Sequence, residues 1–147
     1  KLVIIGEGEH RLEIEKKIYS NNLKNNIILL GYKENIFKYL KDARAFLLTS
    51  LWEDPGFVLV ESAYCNIPII SSDCKNGPEE FLNYGKGGML FKSNSKISFL
   101  SKIQEFENIN KSLLEQFLLN SKQTSRNFTI FHHFKTLFEL LNYENNN

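Results

Sequence analysis

A chain of 147 residues with 42% hydrophobic and 24% charged side chains has the size and balance of one globular domain with a substantial core. Its formal net charge of +1 gives no global attraction for nucleic acid or an acidic membrane, and no apolar run approaches the ~20 residues needed to cross a bilayer. Two cysteines, Cys65 and Cys74, are too few for a disulfide framework and lack metal-ligand spacing, which fits reduced thiols in a cytosolic protein.

The chain opens at Lys1 directly inside an apolar run, as expected of a fragment of a longer protein. Leu2–Ile5 reads as a buried strand that ends in the tight turn Gly6-Glu7-Gly8. Residues 9–20 set Leu12, Ile14, Ile18 and Tyr19 among charges at helical spacing. Ile27–Leu30 is a second strand closed by Gly31, and a short amphipathic helix spans Asn35 to Asp42. Ala45–Thr49 is a third strand, residues 50–56 a loop, and Phe57–Cys65 a largely buried helix. Ile67–Ser71 is a fourth strand despite Pro68 near its start. Gly77-Pro78-Glu79-Glu80 opens a short helix with Pro at a permitted first-turn position, and Gly88–Phe91 is a fifth strand.

Three helices follow, carrying Ile97, Leu100, Ile103 and Phe106, then Leu113, Leu114, Phe117 and Leu118, then Phe131, Phe134, Leu137, Phe138 and Leu141. Residues 142–147 read as a polar tail. Strands alternating with helices imply βαβ units in a parallel sheet. Uniformly apolar strands fit a sheet covered on both faces. The expectation is an α/β, Rossmann-like domain over residues 1–141.

Ligands in such folds bind outside the carboxyl ends of the strands, which directs attention to the loops. Loop 49–57 is the richest. Its chain turns through Pro55-Gly56 into a helix whose first amides, at Phe57 and Val58, have no intrahelical acceptor. These amides and the helix dipole suit an anion, and Gly56 permits close backbone approach. Glu61, one turn further on, can face the same crevice and accept from adjacent hydroxyls such as a ribose diol. Glu53 can accept from a second set of hydroxyls. Two ordinary surface glutamates flanking a helix start are the competing reading.

The stretch Leu47-Leu48-Thr49-Ser50, then Glu53-x7-Glu61, then Ser62 through Asp73, resembles the retaining glycosyltransferases of family 4. Their usual form is E-G-F-G-x-x-x-x-E-A followed by C-G-x-P-V-I-A-T-D and a glycine-rich turn before P-E. Asn76-Gly77-Pro78-Glu79-Glu80 is similar to that turn, Gly6-Glu7-Gly8 to the family's G-x-G, and Leu29-Leu30-Gly31-Tyr32 to its L-G-Y/F segment.

The resemblance implies a GT-B architecture, with this chain as most of the C-terminal, donor-binding domain. It implies that Glu61 binds the nucleotide ribose, and that Glu53 (the catalytic candidate) and the amides of Gly56, Phe57 and Val58 line the donor sugar and diphosphate. Gly6, Gly8, Gly31 and Tyr32 would approach the nucleotide, with Tyr32 near the base, and Asn76 and Gly77 would complete the donor site. The implied donor is a nucleotide-sugar, with uridine the family's usual base, and no metal is required.

A glycan or lipid-linked acceptor would enter through an N-terminal domain that also supplies the phosphate-binding Arg and Lys. The full-length protein would then be cytoplasmic or peripheral to the inner face of a membrane, and the fragment alone inactive. Two departures stand out: Asp54-Pro55 where the family has Gly, and Asn66 where Gly is common.

Other readings remain. A non-catalytic nucleotide-sugar-binding module and a sugar-nucleotide epimerase share the architecture. A dinucleotide fingerprint fails because Arg11 holds its third glycine position. A glycosidase pair has no need of a phosphate-binding helix start. Adjacent His132 and His133 point apart on a helix and make a poor metal pair, and His10 fits a helix-start role. Lys75 could reach a phosphate, although a solvated lysine is the simpler reading. The Phe131, Phe134 and Phe138 stripe is expected to pack in the core, with a membrane surface or cover for an absent domain as alternatives.

Overall fold

The computed structural model describes residues 1–144, with side chains through residue 142. The chain divides into two compact units, Lys1–Lys38 and Tyr39 onwards.

The first unit is one parallel crossover. Strand β1 (Leu2–Ile5) leads through the Gly6–His10 turn into helix α1 (Arg11–Ser20), which returns the chain to β2 (Ile27–Gly31). The strands pair Leu2 with Ile27, Val3 with Ile28 and Ile4 with Leu29, and a register irregularity then sets Ile5 opposite Gly31. Leu2, Val3 and Ile28 remain exposed, so this small sheet is not covered on both faces as its apolar sequence suggests.

Helix α2 (Phe37–Leu40) carries the division between the units. In the second unit β3 (Phe46–Leu48), β4 (Ile69–Ser72) and β5 (Met89–Phe91) form a parallel sheet in the order β3-β4-β5. Crossovers run through α3 (Phe57–Tyr64) and the single turn α4 (Pro78–Phe81). Successive strand residues face opposite sides of a sheet, and the core divides accordingly. Ile69 joins Leu48 with Leu59, Val60 and Ala63 of α3 and Phe81 of α4. Ile70 joins Met89 and Phe91 with Phe106 and Phe117, which come from α5 (Lys96–Glu107) and α6 (Lys111–Ser125). Here the all-buried β4 is the central strand, covered on both faces as expected of parallel sheets.

Local chemistry fixes the element ends. Ser95 and Asn110 accept from the amides of Ser98 and Leu113 as helix caps. Helix α3 ends with Asn66 in the left-handed region at φ 58°, its amide bonded to the Ala63 carbonyl, while Ile67 donates to Ser62. Asparagine is among the few residues that take this position where glycine is more common. The Ile67 amide is thereby spent on the helix end and Pro68 has none. Strand β4 accordingly begins at Ile69, two residues later than the sequence suggests and ending one later, although the Pro68 carbonyl still accepts from Phe46.

The carboxyl half closes through a 3-10 turn (Arg126–Phe128) into α7 (Ile130–Glu144). Two expectations change here. Helix α7 runs through Asn142–Glu144, three residues into the stretch read as tail, and residues 145–147 lie outside the described region. The aromatic stripe is not core: Phe131, Phe134 and Phe138 are 83%, 66% and 57% exposed, the last two stacked on each other. Helical periodicity identifies an apolar face but not what covers it. Among the described residues no helix is long and apolar enough to cross a membrane.

Candidate functional site

In the second unit the loop after β3 is built against the loop after β4. The Ser72 hydroxyl, at the end of β4, donates to the Ser50 carbonyl at 2.6 Å. A parallel bridge then pairs Trp52 with Lys75, and the Glu53 amide donates to the Lys75 carbonyl at 3.3 Å. Asp73 braces the neighbouring strand end by accepting from the Ser93 amide at 2.6 Å. The two loops are thus extensions of the parallel ladder, and Glu53 leaves it at a defined point.

The chain then passes a cis Asp54–Pro55 peptide and enters α3 through Gly56, which is buried and left-handed at φ 79° and ψ 51°. This is a conformation open to glycine. The Glu53 side chain folds over it: a Cβ placed on Gly56 would lie 3.5 Å from Glu53 Oε2. A carboxylate therefore stands beside the first turn of α3, which contains no acidic residue and has no side-chain cap. The Leu59 amide closes back on the Gly56 carbonyl. The earlier amides, at Phe57 and Val58, are the positive pole of the helix.

The turn at Asn76 and Gly77 completes this corner. Asn76 is left-handed at φ 67°, and Gly77, at φ 126°, opens α4. A Cβ at Gly77 would overlap the Pro55 carbonyl oxygen. The sequence-predicted residues Glu53, Gly56, Phe57, Asn76 and Gly77 therefore meet at one end of the β3-β4 pair. Neither loop contains the information for this packing alone.

Glu61 lies one turn into α3 on the side of Phe57 and Cys65, from the helical period. Burial pushes its carboxyl up from the usual 4.5. The Cys65 thiol is also raised, first by burial and then by the nearby Glu61 charge. The folded chain thus holds the Glu61 proton more tightly than the unfolded chain, so stability falls as pH rises through the interval above the ordinary glutamate range. Glu61→Gln is expected to melt higher than wild type at neutral pH. The difference should close below about pH 4, where the carboxyl is protonated in both states. Equal melting curves at both pH values would show that Glu61 carries no such cost.

In the first unit the Gly6 amide donates to the Gly31 carbonyl at 2.9 Å, joining the two strand-end turns. The Gly8 carbonyl accepts from the Arg11 amide, and Tyr32 is exposed beyond Gly31. His10 lies between Glu9 and Glu13 at the start of α1, and His132 and His133 are exposed on α7. Among the described residues no group of three or more His, Cys, Asp or Glu is placed to hold a metal ion.

Sequence reasoning passes over Trp52, which is 58% exposed immediately before Glu53, and over the Ser50–Ser72 contact. A lone tryptophan beside a loop glutamate is a signal for the first. The second is non-local and has none.

Comparison with known proteins adds an independent line. Residues 1–124 match the family model described as glycosyl transferases group 1. An uncharacterized glycosyltransferase of Methanocaldococcus jannaschii is 39% identical over 109 residues, covering 65% of this chain and 27% of that protein. An alpha-1,4-N-acetyl-D-galactosaminyltransferase of Campylobacter jejuni, named for a PP-undecaprenol-linked glycan, is 32% identical over 135 residues, covering 90% and 36%. The crystal structure of an S. aureus TarM variant in complex with fondaparinux, alpha-GlcNAc-glycerol and UDP superposes with a TM-score of 0.81 at 28% identity, covering 97% and 28%. The chain spans roughly a quarter to a third of the length of these proteins.

Proposed function

Because the chain belongs to the glycosyl transferases group 1 family, we propose that it is the donor-binding part of a retaining glycosyltransferase of family 4. The full-length protein moves a sugar from a nucleoside diphosphate to an acceptor hydroxyl. The observation that carries this reading is the corner at the end of β3 and β4, where α3 starts without a side-chain cap and Glu53 is folded beside Gly56. A phosphorylated sugar needs both features: amides for the diphosphate and a carboxylate for hydroxyls.

In this account the amides of Phe57 and Val58, with Gly56 and the Asn76-Gly77 turn, hold the diphosphate. Glu61 accepts from the ribose diol, and Glu53 positions the sugar at the reacting carbon. The family resemblance alone would add Gly6, Gly8, Gly31 and Tyr32 as nucleotide contacts. A helix start oriented toward developing charge stabilises a leaving diphosphate by preorganisation, so no metal is needed for that step. UDP is the favoured nucleotide because the similar TarM structure contains it.

A glycan or lipid-linked acceptor is favoured by the Campylobacter relative's name. The acceptor site and the cationic clamp belong to a preceding domain, and residues 1–141 serve as one donor domain that is inactive by itself. On this reading the full-length enzyme would act in the cytoplasm or at the inner face of a membrane.

A thermal-shift panel of UDP-, GDP- and ADP-sugars on the full-length protein tests the reading. One nucleotide class at 100 times its Kd should stabilise the fold by about 2.7 kcal/mol, and nucleoside diphosphate should then be released only when acceptor is supplied. No shift with any member would contradict donor binding. Binding without release marks a non-catalytic module, and acceptor-free conversion of the sugar marks an epimerase.

A further inference from the structure

The first unit contains a side-chain contact that the proposed donor site does not use. Arg11, the first residue of α1, reaches backward and forward along the chain. Its Nη1 donates to Glu7 Oε1 at 2.6 Å and its Nε to Glu15 Oε1 at 2.9 Å. Pairs of this spacing on a helix surface contribute little by themselves. Two features set this one apart. The Arg11 side chain is only 34% exposed. The same Glu7 oxygen that takes the guanidinium also lies against the turn of the next strand, where a Cβ on Gly31 would come within 2.6 Å of it.

The contacts close into a ring. Gly6 donates to the Gly31 carbonyl, Glu7 covers Gly31, Arg11 holds Glu7, and the Arg11 amide returns to the Gly8 carbonyl. Every member belongs to the two strand-end turns or the first turn of α1. The Glu7 hydrogen bond is also the main cause of the raised Arg11 pKa.

We propose that Glu7, clasped by Arg11, is a positioning residue that fixes the Gly6–Gly8 turn against Gly31 and so sets affinity for the nucleotide of the donor. The inference rests on the donor-binding reading above. A turn held before the ligand arrives spares the ordering cost of binding. The clasp touches no reacting atom, so it acts on donor affinity and leaves the rate of transfer alone. Both side chains still reach solvent, Arg11 at 34% and Glu7 at 52% exposure, so the fold survives the loss of either charge.

The test uses the full-length protein with UDP, GDP and ADP and the matching donor sugars. Glu7→Gln and Arg11→Gln are each expected to raise the nucleotide Kd and the donor KM about tenfold, the scale of one or two newly ordered groups. The value of kcat and the melting temperature without ligand should stay near wild type. The double variant should be no weaker than either single one, because both remove one device.

Unchanged affinity in both single variants, with wild type binding normally, overturns the clasp and leaves the donor site standing. Loss confined to kcat or to unliganded stability also overturns it, as does additivity in the double variant. Failure of wild type to bind any of the nucleotides overturns the donor reading and the clasp together.

Discussion

Gly77→Ala is expected to lower stability by roughly 2–4 kcal/mol, combining a forbidden backbone conformation with overpacking. The backbone at Gly77 has φ 126° and ψ −46°, a region that side chains with a Cβ rarely enter. The new methyl would also overlap the Pro55 carbonyl oxygen, and that atom belongs to backbone that cannot swing aside as a side-chain end can. Relief requires moving either the α4 start or the Pro55-Gly56 turn, and the second choice carries Glu53 with it. For a domain of this size the melting temperature should fall by roughly 10 °C.

Gly56→Ala is the internal control. Its φ of 79° and ψ of 51° lie near the ordinary left-handed region, and the nearest atoms to its Cβ would be Glu53 side-chain atoms at normal contact distance. It should cost about 1 kcal/mol. Thermal melts of the two variants decide the matter: an equal or reversed order would show that the two loops are not packed as described.

Glu61→Ala is the second large effect, and it acts in opposite directions on binding and stability. If Glu61 grips a ribose diol, its loss removes hydrogen bonds to a charged group worth about 1–3 kcal/mol, a fall in donor affinity of roughly five- to 150-fold. In the unliganded protein the same carboxyl is burdened by burial, which raises its pKa, and among the described residues it has no side-chain hydrogen bond that alanine would break. Stability should therefore be held or improved while affinity falls. A glutamate retained for the fold would show the reverse pattern. The donor KM of the variant should rise accordingly.

Much of the scaffold was legible because its causes are local. The strands β3, β4 and β5 are short apolar runs between turn residues, and α3 ends at Asn66 because its chemistry permits a left-handed residue. The start of β4 was misread where Pro68 and the α3 ending compete for the same backbone. The α7 stripe was misread because periodicity cannot name a covering surface. At the site, Glu53 and Gly56 could be chosen from spacing and turn chemistry, and Gly77 from the family resemblance. Their meeting could not, since Trp52 pairing with Lys75 and Pro55 crowding Gly77 join loops separated by a whole helix and strand. The contact of Glu7 with Gly31 was hidden for the same reason.

The central claim is that the Glu53–Glu61 segment holds a nucleotide-sugar. Titration calorimetry of UDP into the full-length protein, with wild type and Glu61→Ala measured side by side, tests it most directly. The account predicts saturable binding to wild type and a Kd raised at least about fivefold in the variant, with both proteins folded. Saturable binding of equal strength to the two would contradict it and remove the ribose contact from Glu61.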